Sequence, residues 1–534
     1  MDRRNFLITT GAVAAAAATG SLDARADIPA RRPLAAVRGS LVAQQELTTD
    51  QKRLIVDVGI NLVEQVYVHR TMKMAQYGID VVPQLRALRA RVSDMKDLAF
   101  HREMRRIFVQ LRDRHTFYIS GEHKETYILG VTTLRAFDNG EWKYFITRSD
   151  DHSMIPIGSQ VVSWNGVHPE QVVEEFAENV GAGNLSSRLA VARRDLTKRL
   201  TSKYDLPFEN EVRLGIIDPA GKNKEALLKW HIQQVQRKLE VPTEHIHELG
   251  IDEPHYVTTE SDTDADWVSS KKITFGGRDF GLLHIKTFHV PDNYISTYME
   301  HVLEKLKPLP PTGLVIDIRH NGGGYIVPGE TMLQLFTSKP IEPHTFRLRA
   351  SETMAAATDR HRLRTWKPTT VQGVAFGSEF SADFPLTSRC DSQHDGRRGA
   401  NCIQWVYPGP VILLVDSITY STADMFASGF QSNAIGKIIG VDDNIGAGGA
   451  NNFKSLADLR QLLPHNDPRF PPLPNGVDFS VAVRQAIRKG PYSGMILEDE
   501  GIKVDYQYKL TKRDVLPQSK DRDLLEYACG LLRA

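Results

Sequence analysis

The chain has 534 residues, more than one hydrophobic core serves, and so predicts two to four domains of about 100 to 200 residues each. Hydrophobic residues at 41%, charged at 25% and aromatic at 8% exclude wholesale disorder, collagen and multi-span membrane architectures. Lys plus Arg at 66 against Asp plus Glu at 65 leaves a net charge of +1, which argues against nucleic acid or an anionic membrane as partner, and 3 cysteines exclude a disulfide-dense scaffold.

Residues 1–26 read as an export signal: paired Arg3 and Arg4, an apolar run from Phe6 to about Ala18, then Ala24-Arg25-Ala26 before Asp27. The run is shorter than the roughly 20 strongly apolar residues of a membrane span. Adjacent arginines followed by Phe-Leu are similar to the twin-arginine signal of bacteria, and the expected location is the periplasm or the exterior. The competing reading is a frayed Ala-rich helix. Cleavage after Ala26 would remove three arginines and two aspartates and leave the chain formally neutral. In an oxidising compartment Cys390 and Cys402 are candidates for a disulfide, whereas Cys529 sits in the apolar-periodic tail DLLEYACGLL and reads as a core residue.

Residues 27–47 lack periodicity and read as a linker. Residues 48–120 carry apolar positions at helical spacing in RLIVDVGINLVEQVYV, VVPQLRALRARV and FHREMRRIFVQL. Residues 121–245 hold short alternating runs, TYILGVTTL, WKYFITR and GSQVVSWNGV, separated by turns at Asp138-Asn139-Gly140 and Asn165-Gly166. In the same region SSRLAVARRDLTKRL reads as an exposed, solvated helix face. Residues 246–534 follow a strand, helix, strand grammar, with FGLLHIKTF, NYISTYMEHVLEKLKPL and GLVIDIRHNGGG forming a βαβ unit and GPVILLVDSITYSTADMF a second strand-to-helix passage. Between them about residues 340–408 are polar and Gly/Pro/Ser-rich, and read as a loop system that covers a cleft. The fold class is therefore a mixed α/β and α+β multidomain chain.

Three segments carry candidate chemistry. Ser421 stands at the start of a helix after a buried-type strand, where its hydroxyl is presented beside the Thr422 amide at the positive helix terminus. With Asp424 three residues on, it equally reads as a simple helix cap. Gly322, Gly323 and Gly324 end the strand LVIDIR, and their amides suit half of an oxyanion hole or a plain tight turn; no P-loop ending follows. His115, in Asp113-Arg114-His115-Thr116, is a candidate general base among 18 histidines.

GLVIDIRHNGGG, YSTADMFASGFQSNAIGKIIG, the run YFITRSDDHSMIPIGSQVVSWNGV and the closing GIKVDYQY together resemble the C-terminal-processing and tricorn-like serine peptidase family, in order over roughly residues 105–510. The resemblance implies a helical N-terminal region, a PDZ-like β module and a crotonase-like α/β catalytic domain. It implies Ser421 as nucleophile and an oxyanion hole from Gly322, Gly323 and Thr422. The lysine that processing peptidases carry in a Gly-Lys-Gly context is absent; Ala447 stands there, and neither Lys437 nor Lys454 fits. The tricorn-like branch uses a histidine, matched by His115, and a glutamate before the closing motif, matched by Glu498 ahead of Asp499 and Glu500. The serine that should orient the histidine is not evident beside Arg114, and Asp113 is the substitute if the segment is extended.

Two other clusters fail as sites. Asp262-x-Asp264-x-Asp266 resembles a calcium loop, yet Trp267 holds the glycine position and Ile273 the glutamate position. His245, His247 and His255 have permissive metal spacing without a frame. The expectation is a serine peptidase acting on polypeptides, with no cofactor, no metal, no nucleic acid and no stable membrane insertion. In it Ser421 attacks, His115 takes the proton, Glu498 or Asp113 orients the imidazole, and the module binds an extended peptide by strand addition. The rival is an inert peptide or apolar-ligand binder on the same fold.

Overall fold

A computed structural model describes Arg32–Pro33 and residues 46–121, 125–201, 204, 209–233, 267–290, 295–387 and 399–533. The export-type segment, Cys390, the Asp262 cluster and His245, His247 and His255 lie outside the described residues. Among the described residues no helix is long and apolar enough to cross a membrane.

The N-terminal periodicity resolves into four helices: α1 (Thr49–Gln65), α2 (Arg70–Tyr77), α3 (Val82–Arg91) and α4 (Asp97–Val109). Thr48 and Gln51 close a reciprocal capping box that starts α1. One face of α1, with Ile55, Val56, Leu62 and Val63, is wholly buried. A short strand, β1 (Phe117–Ile119), follows. The next region is an antiparallel sheet of β2 (Val131–Asp138), β3 (Glu141–Ser149), β4 (Gln160–Trp164), β5 (Glu211–Ile217) and β6 (Asn223–Lys229) in that order, with α5 (Pro169–Ala177) and α6 (Leu185–Asp195) inserted between β4 and β5. Asn139 and Gly140, both at positive φ, form the β2–β3 turn that the Asn-Gly pair predicts.

Helix α6 corrects the reading of SSRLAVARRDLTKRL as a solvated face. Its small side chains Ser187, Ala190, Val191 and Ala192 are buried, Arg193 pairs with Asp442 at 3.1 Å, and Asn184 donates to the Ile445 carbonyl at 3.0 Å. Flanking arginines disguised a packing stripe made of alanine and serine.

The elements that frame the site are β7 (Val268–Phe275), β8 (Arg278–Ile285), α7 (Ile295–Leu306), β9 (Leu314–Asp317), α8 (Ile326–Leu333), β10 (Thr345–Leu348), β11 (Val411–Val415), α9 (Thr422–Ser432), β12 (Lys437–Gly440), β13 (Ala450–Phe453), β14 (Asp478–Ile487), β15 (Tyr506–Gln507) and α10 (Arg522–Arg533). One sheet runs β7-β8-β9-β11-β12-β15, parallel except for the edge strand β7. Every residue of β9 and β11 is buried, as an unbroken apolar run in a parallel sheet requires. Helix α10 covers one face through Leu524, Leu525, Ala528 and the free Cys529. The other face shares a continuous core with α1, α3, α4 and α9. A second sheet places β14 between β10 and β13, with β1 pairing on β14 as well. The antiparallel module has its own core, which Ile418 enters.

The described residues between 340 and 408 are more ordered than their composition predicts. They contain β10 and helices Glu352–Ala357 and Lys367–Phe376, the first capped by Ser351, which accepts from the Met354 N–H, and the second ended by Gly377 at φ 70°. Such short elements, started by caps, offer no periodicity to read. Cys402 is disulfide-bonded.

Candidate active site

Strands β9 and β11 are neighbours in register, Asp317 opposite Leu414, so the turns at their carboxyl ends meet. The turn after β11 is built on Asp416, which accepts from the Ile418 and Thr419 N–H groups at 3.1 and 2.8 Å. It ends at Ser421 with φ 61° and ψ −123°, a conformation serine adopts only under strain of order 1–3 kcal/mol. An ordinary helix cap sits in the β region, so capping alone does not account for it. The Ser421 N–H donates to Asp424 at 2.7 Å, while the hydroxyl lies 3.1 Å from His115 Nε2.

His115 comes from the other side of the molecule. Its segment is pinned to β14: the Ser480 hydroxyl donates to the His115 carbonyl at 2.7 Å, and the Ala482 N–H to the Thr116 hydroxyl at 2.9 Å. Residues 113–116 form a turn rather than an extended stretch. Asp113 therefore accepts from the His115 main-chain N–H at 2.7 Å and the Thr116 hydroxyl at 2.8 Å, and does not orient the ring as expected. The group on Nδ1 is the Tyr420 hydroxyl, 3.1 Å away.

Glu498 also lies off the ring. Its Oε1 accepts from Lys73 at 3.1 Å, Asp499 accepts from the same ammonium at 2.6 Å, and Glu498 Oε2 has no hydrogen-bond partner among the described residues. Glu500 is exposed. His69 and Lys73, four apart at the start of α2, both face this cluster, His69 Nε2 lying 3.8 Å from Glu498 Oε2. Sequence reading missed both, as it missed Tyr420; the one signal was a histidine and a lysine at helical spacing in VYVHRTMKM. Burial pushes the Glu498 and Asp499 carboxyls up against the Lys73 charge. Despite the burial that opposes it, His69, Lys73 and His115 hold Asp113 below the ordinary carboxylate range. Burial lowers His69 to about 3. His69, Asp113 and Glu498 bring ligand atoms within 4.8 Å of one another, but the Lys73 ammonium already supplies a cation there.

The glycine turn serves the serine mainly by shape. Gly323 has φ 100°, and a Cβ there would lie 2.7 Å from Ser421 Cβ and 2.8 Å from the Thr422 amide. Its own N–H donates to the Asn321 side chain at 2.8 Å, which corrects its assignment as an oxyanion donor. The Gly322 amide, on an exposed residue, makes no hydrogen bond among the described residues, and Thr422 opens α9 at the helix terminus. Those two remain as candidate donors.

The absent lysine has a structural counterpart. Ala447 and Gly448 donate main-chain N–H groups to Asp424 at 3.0 and 2.8 Å, so the loop that would carry a lysine is tied to the residue that also holds Ser421. Lys437 points to solvent and pairs with Asp505.

Residues 279–470 match the model of peptidase family S41. No curated protein sequence matches the chain. Two solved structures are similar in fold: mature CPAF complexed with lactacystin, at TM-score 0.66 and 16% identity over 91% of this chain and 99% of that one, and mature CPAF, at 0.66 and 17% over 90% and 98%.

Proposed function

We propose that this chain, whose residues 279–470 match the model of peptidase family S41, hydrolyses peptide bonds through Ser421 as nucleophile and His115 as general base. The observation that carries the reading is the 3.1 Å approach of His115 Nε2 to the Ser421 hydroxyl across the junction of two sheets. His115 takes the hydroxyl proton as Oγ adds to the carbonyl carbon. The Gly322 and Thr422 amides hold the oxyanion, and the protonated histidine gives its proton to the leaving amine as the C–N bond breaks. Water repeats the sequence to release the acyl group. The strain at Ser421 supports this, because it keeps the hydroxyl out of the helix and beside the first free amides.

The substrate class is polypeptide. The five-stranded module is the proposed PDZ-like element, binding an extended chain by addition to a sheet edge such as β6. Export to the periplasm or beyond is part of the same reading and rests on Arg3, Arg4 and the apolar run after them. An inert binder would not need a serine and a histidine from distant segments within hydrogen-bond reach.

A fluorophosphonate probe tests the assignment. Labelling should map to Ser421 by peptide mass and vanish in Ser421→Ala, and His115→Ala should slow it while leaving the fold intact. Equal labelling of wild type and Ser421→Ala would sink the nucleophile.

A further inference from the structure

The ring of His115 is held by a phenol. Tyr420, the residue before the nucleophile, is 5% exposed and places its hydroxyl 3.1 Å from His115 Nδ1, with the two rings 4.7 Å apart and inclined by 32°. The Arg114 guanidinium lies 4.0 Å from the centre of the same tyrosine ring. The tyrosine main-chain N–H donates to the Asn321 carbonyl at 3.0 Å, fixing its backbone to the glycine turn.

The loop that lacks the lysine is shaped around this ring. A Cβ on Gly448 would come within 2.0 Å of Tyr420 Cε2 and Cζ, and one on Gly446 within 2.8 Å of Cδ2. Glycines at 446 and 448 thus make room for a side chain that occupies the region where a base lysine would otherwise enter. Building on the serine–histidine reading above, we propose that Tyr420 is the positioning residue of His115, accepting the Nδ1 proton so that the Nε2 lone pair faces Ser421.

The chemistry is that of a neutral acceptor. When His115 takes the serine proton, both ring nitrogens carry hydrogen, and Nδ1–H needs an acceptor in a buried site. The phenol oxygen supplies it. Burial, with the nearby charges of Glu498 and Asp113, holds the Tyr420 hydroxyl well above its ordinary range, so it stays protonated and serves as an acceptor rather than a counter-ion. The Asp113 carboxylate, held ionised, then acts on the imidazolium at a distance, through its field.

The test uses the full chain, hydrolysis of fluorescein-labelled casein, and fluorophosphonate labelling. Tyr420→Phe removes only the hydroxyl. It should lower kcat/KM about a hundredfold through kcat, with KM little changed, and move the acid limb of the kcat/KM profile to lower pH, because the imidazolium loses its acceptor. 3-Fluorotyrosine placed at position 420 keeps ring and hydroxyl, folds where Phe fails to, and should move the limb part of the way. Superimposable pH profiles for wild type and the variants, or full activity of Tyr420→Phe, would overturn the role. Ser421→Ala that still hydrolyses casein would instead refute the reading beneath it, so the two failures are distinguishable.

Discussion

Ser421, the residue that caps helix α9, and Ser428 within it stand seven residues apart, and each meets a histidine. Ser421 faces His115 at 3.1 Å, and Ser428 faces His344 at 3.0 Å. By hydrogen bonds alone the second is the better triad: His344 Nδ1 sits 2.9 Å from Glu330, whose other oxygen accepts from Thr387, whereas His115 Nδ1 meets a phenol. Yet Ser428, Glu330 and His344 are buried, at 0%, 0% and 2% exposure, and Ser428 sits in helix interior where the following amides are committed to the helix. Ser421 is strained, partly exposed, and stands where the first turn leaves amides free. A serine, a histidine and an acid make a structural clamp when sealed in a core. They suit acyl transfer only with access, a presented hydroxyl and oxyanion donors.

The comparison breaks first at the serines. Ser421→Ala should cost at least about a thousandfold in kcat with the melting temperature unchanged. Ser428→Ala should leave kcat within a few-fold and cost about 1–3 kcal/mol by removing a buried hydrogen bond. Urea unfolding and casein hydrolysis on both variants check this, and a reversed pattern would exchange the two assignments. The histidines should divide in the same way. His115→Ala loses activity on the scale of the serine variant, because members of such a unit act together, whereas His344→Ala leaves Glu330 short of a partner and is read in stability, at about 3 kcal/mol or more.

How much of this was legible in the sequence follows from range. Strands β9 and β11 and the helix after Ser421 announce themselves through unbroken apolar runs and the glycine turn, all local signals. The pairing of Ser421 with His115 spans 306 positions and was found by resemblance to a family rather than by spacing. The polar cluster behind the histidine was not legible. Lys73 meets Asp499 across 426 positions, and neither has a local pattern that distinguishes it from a surface charge. An extended segment would put Asp113 on the ring face of His115; the turn at 113–116 takes its carboxylate to the main chain instead.

Lys73 sharpens the comparison at the next level down, since it is the counter-charge of the active cluster and the Glu330 clamp has no lysine or arginine among its hydrogen-bond partners in the described residues. Lys73→Met leaves Glu498 and Asp499 buried without their ammonium and should cost about 3–5 kcal/mol. Adding Asp499→Asn to that variant should recover part of the loss, and non-additivity of the pair in urea melts is the readout.

The smallest expected effect is a pH dependence centred on His69. Its ring is wholly buried, accepts from the Gln485 side chain at 3.0 Å through Nδ1, and is lowered by burial from 6.5 to about 3. The unfolded chain therefore takes up a proton on this histidine at higher pH than the fold does. The neutral ring's contribution is complete above about 6.5 and is lost progressively as pH falls towards 3. Glu498 and Asp499, raised by burial, act in the opposite sense, because the fold holds their protons more tightly than the unfolded chain. Total stability consequently mixes the two signs, and the measurement has to be a difference. The stability of wild type relative to His69→Gln should fall as pH drops from 6.5 towards 3, and a difference that stays flat over that range would mean that His69 carries its proton inside the fold.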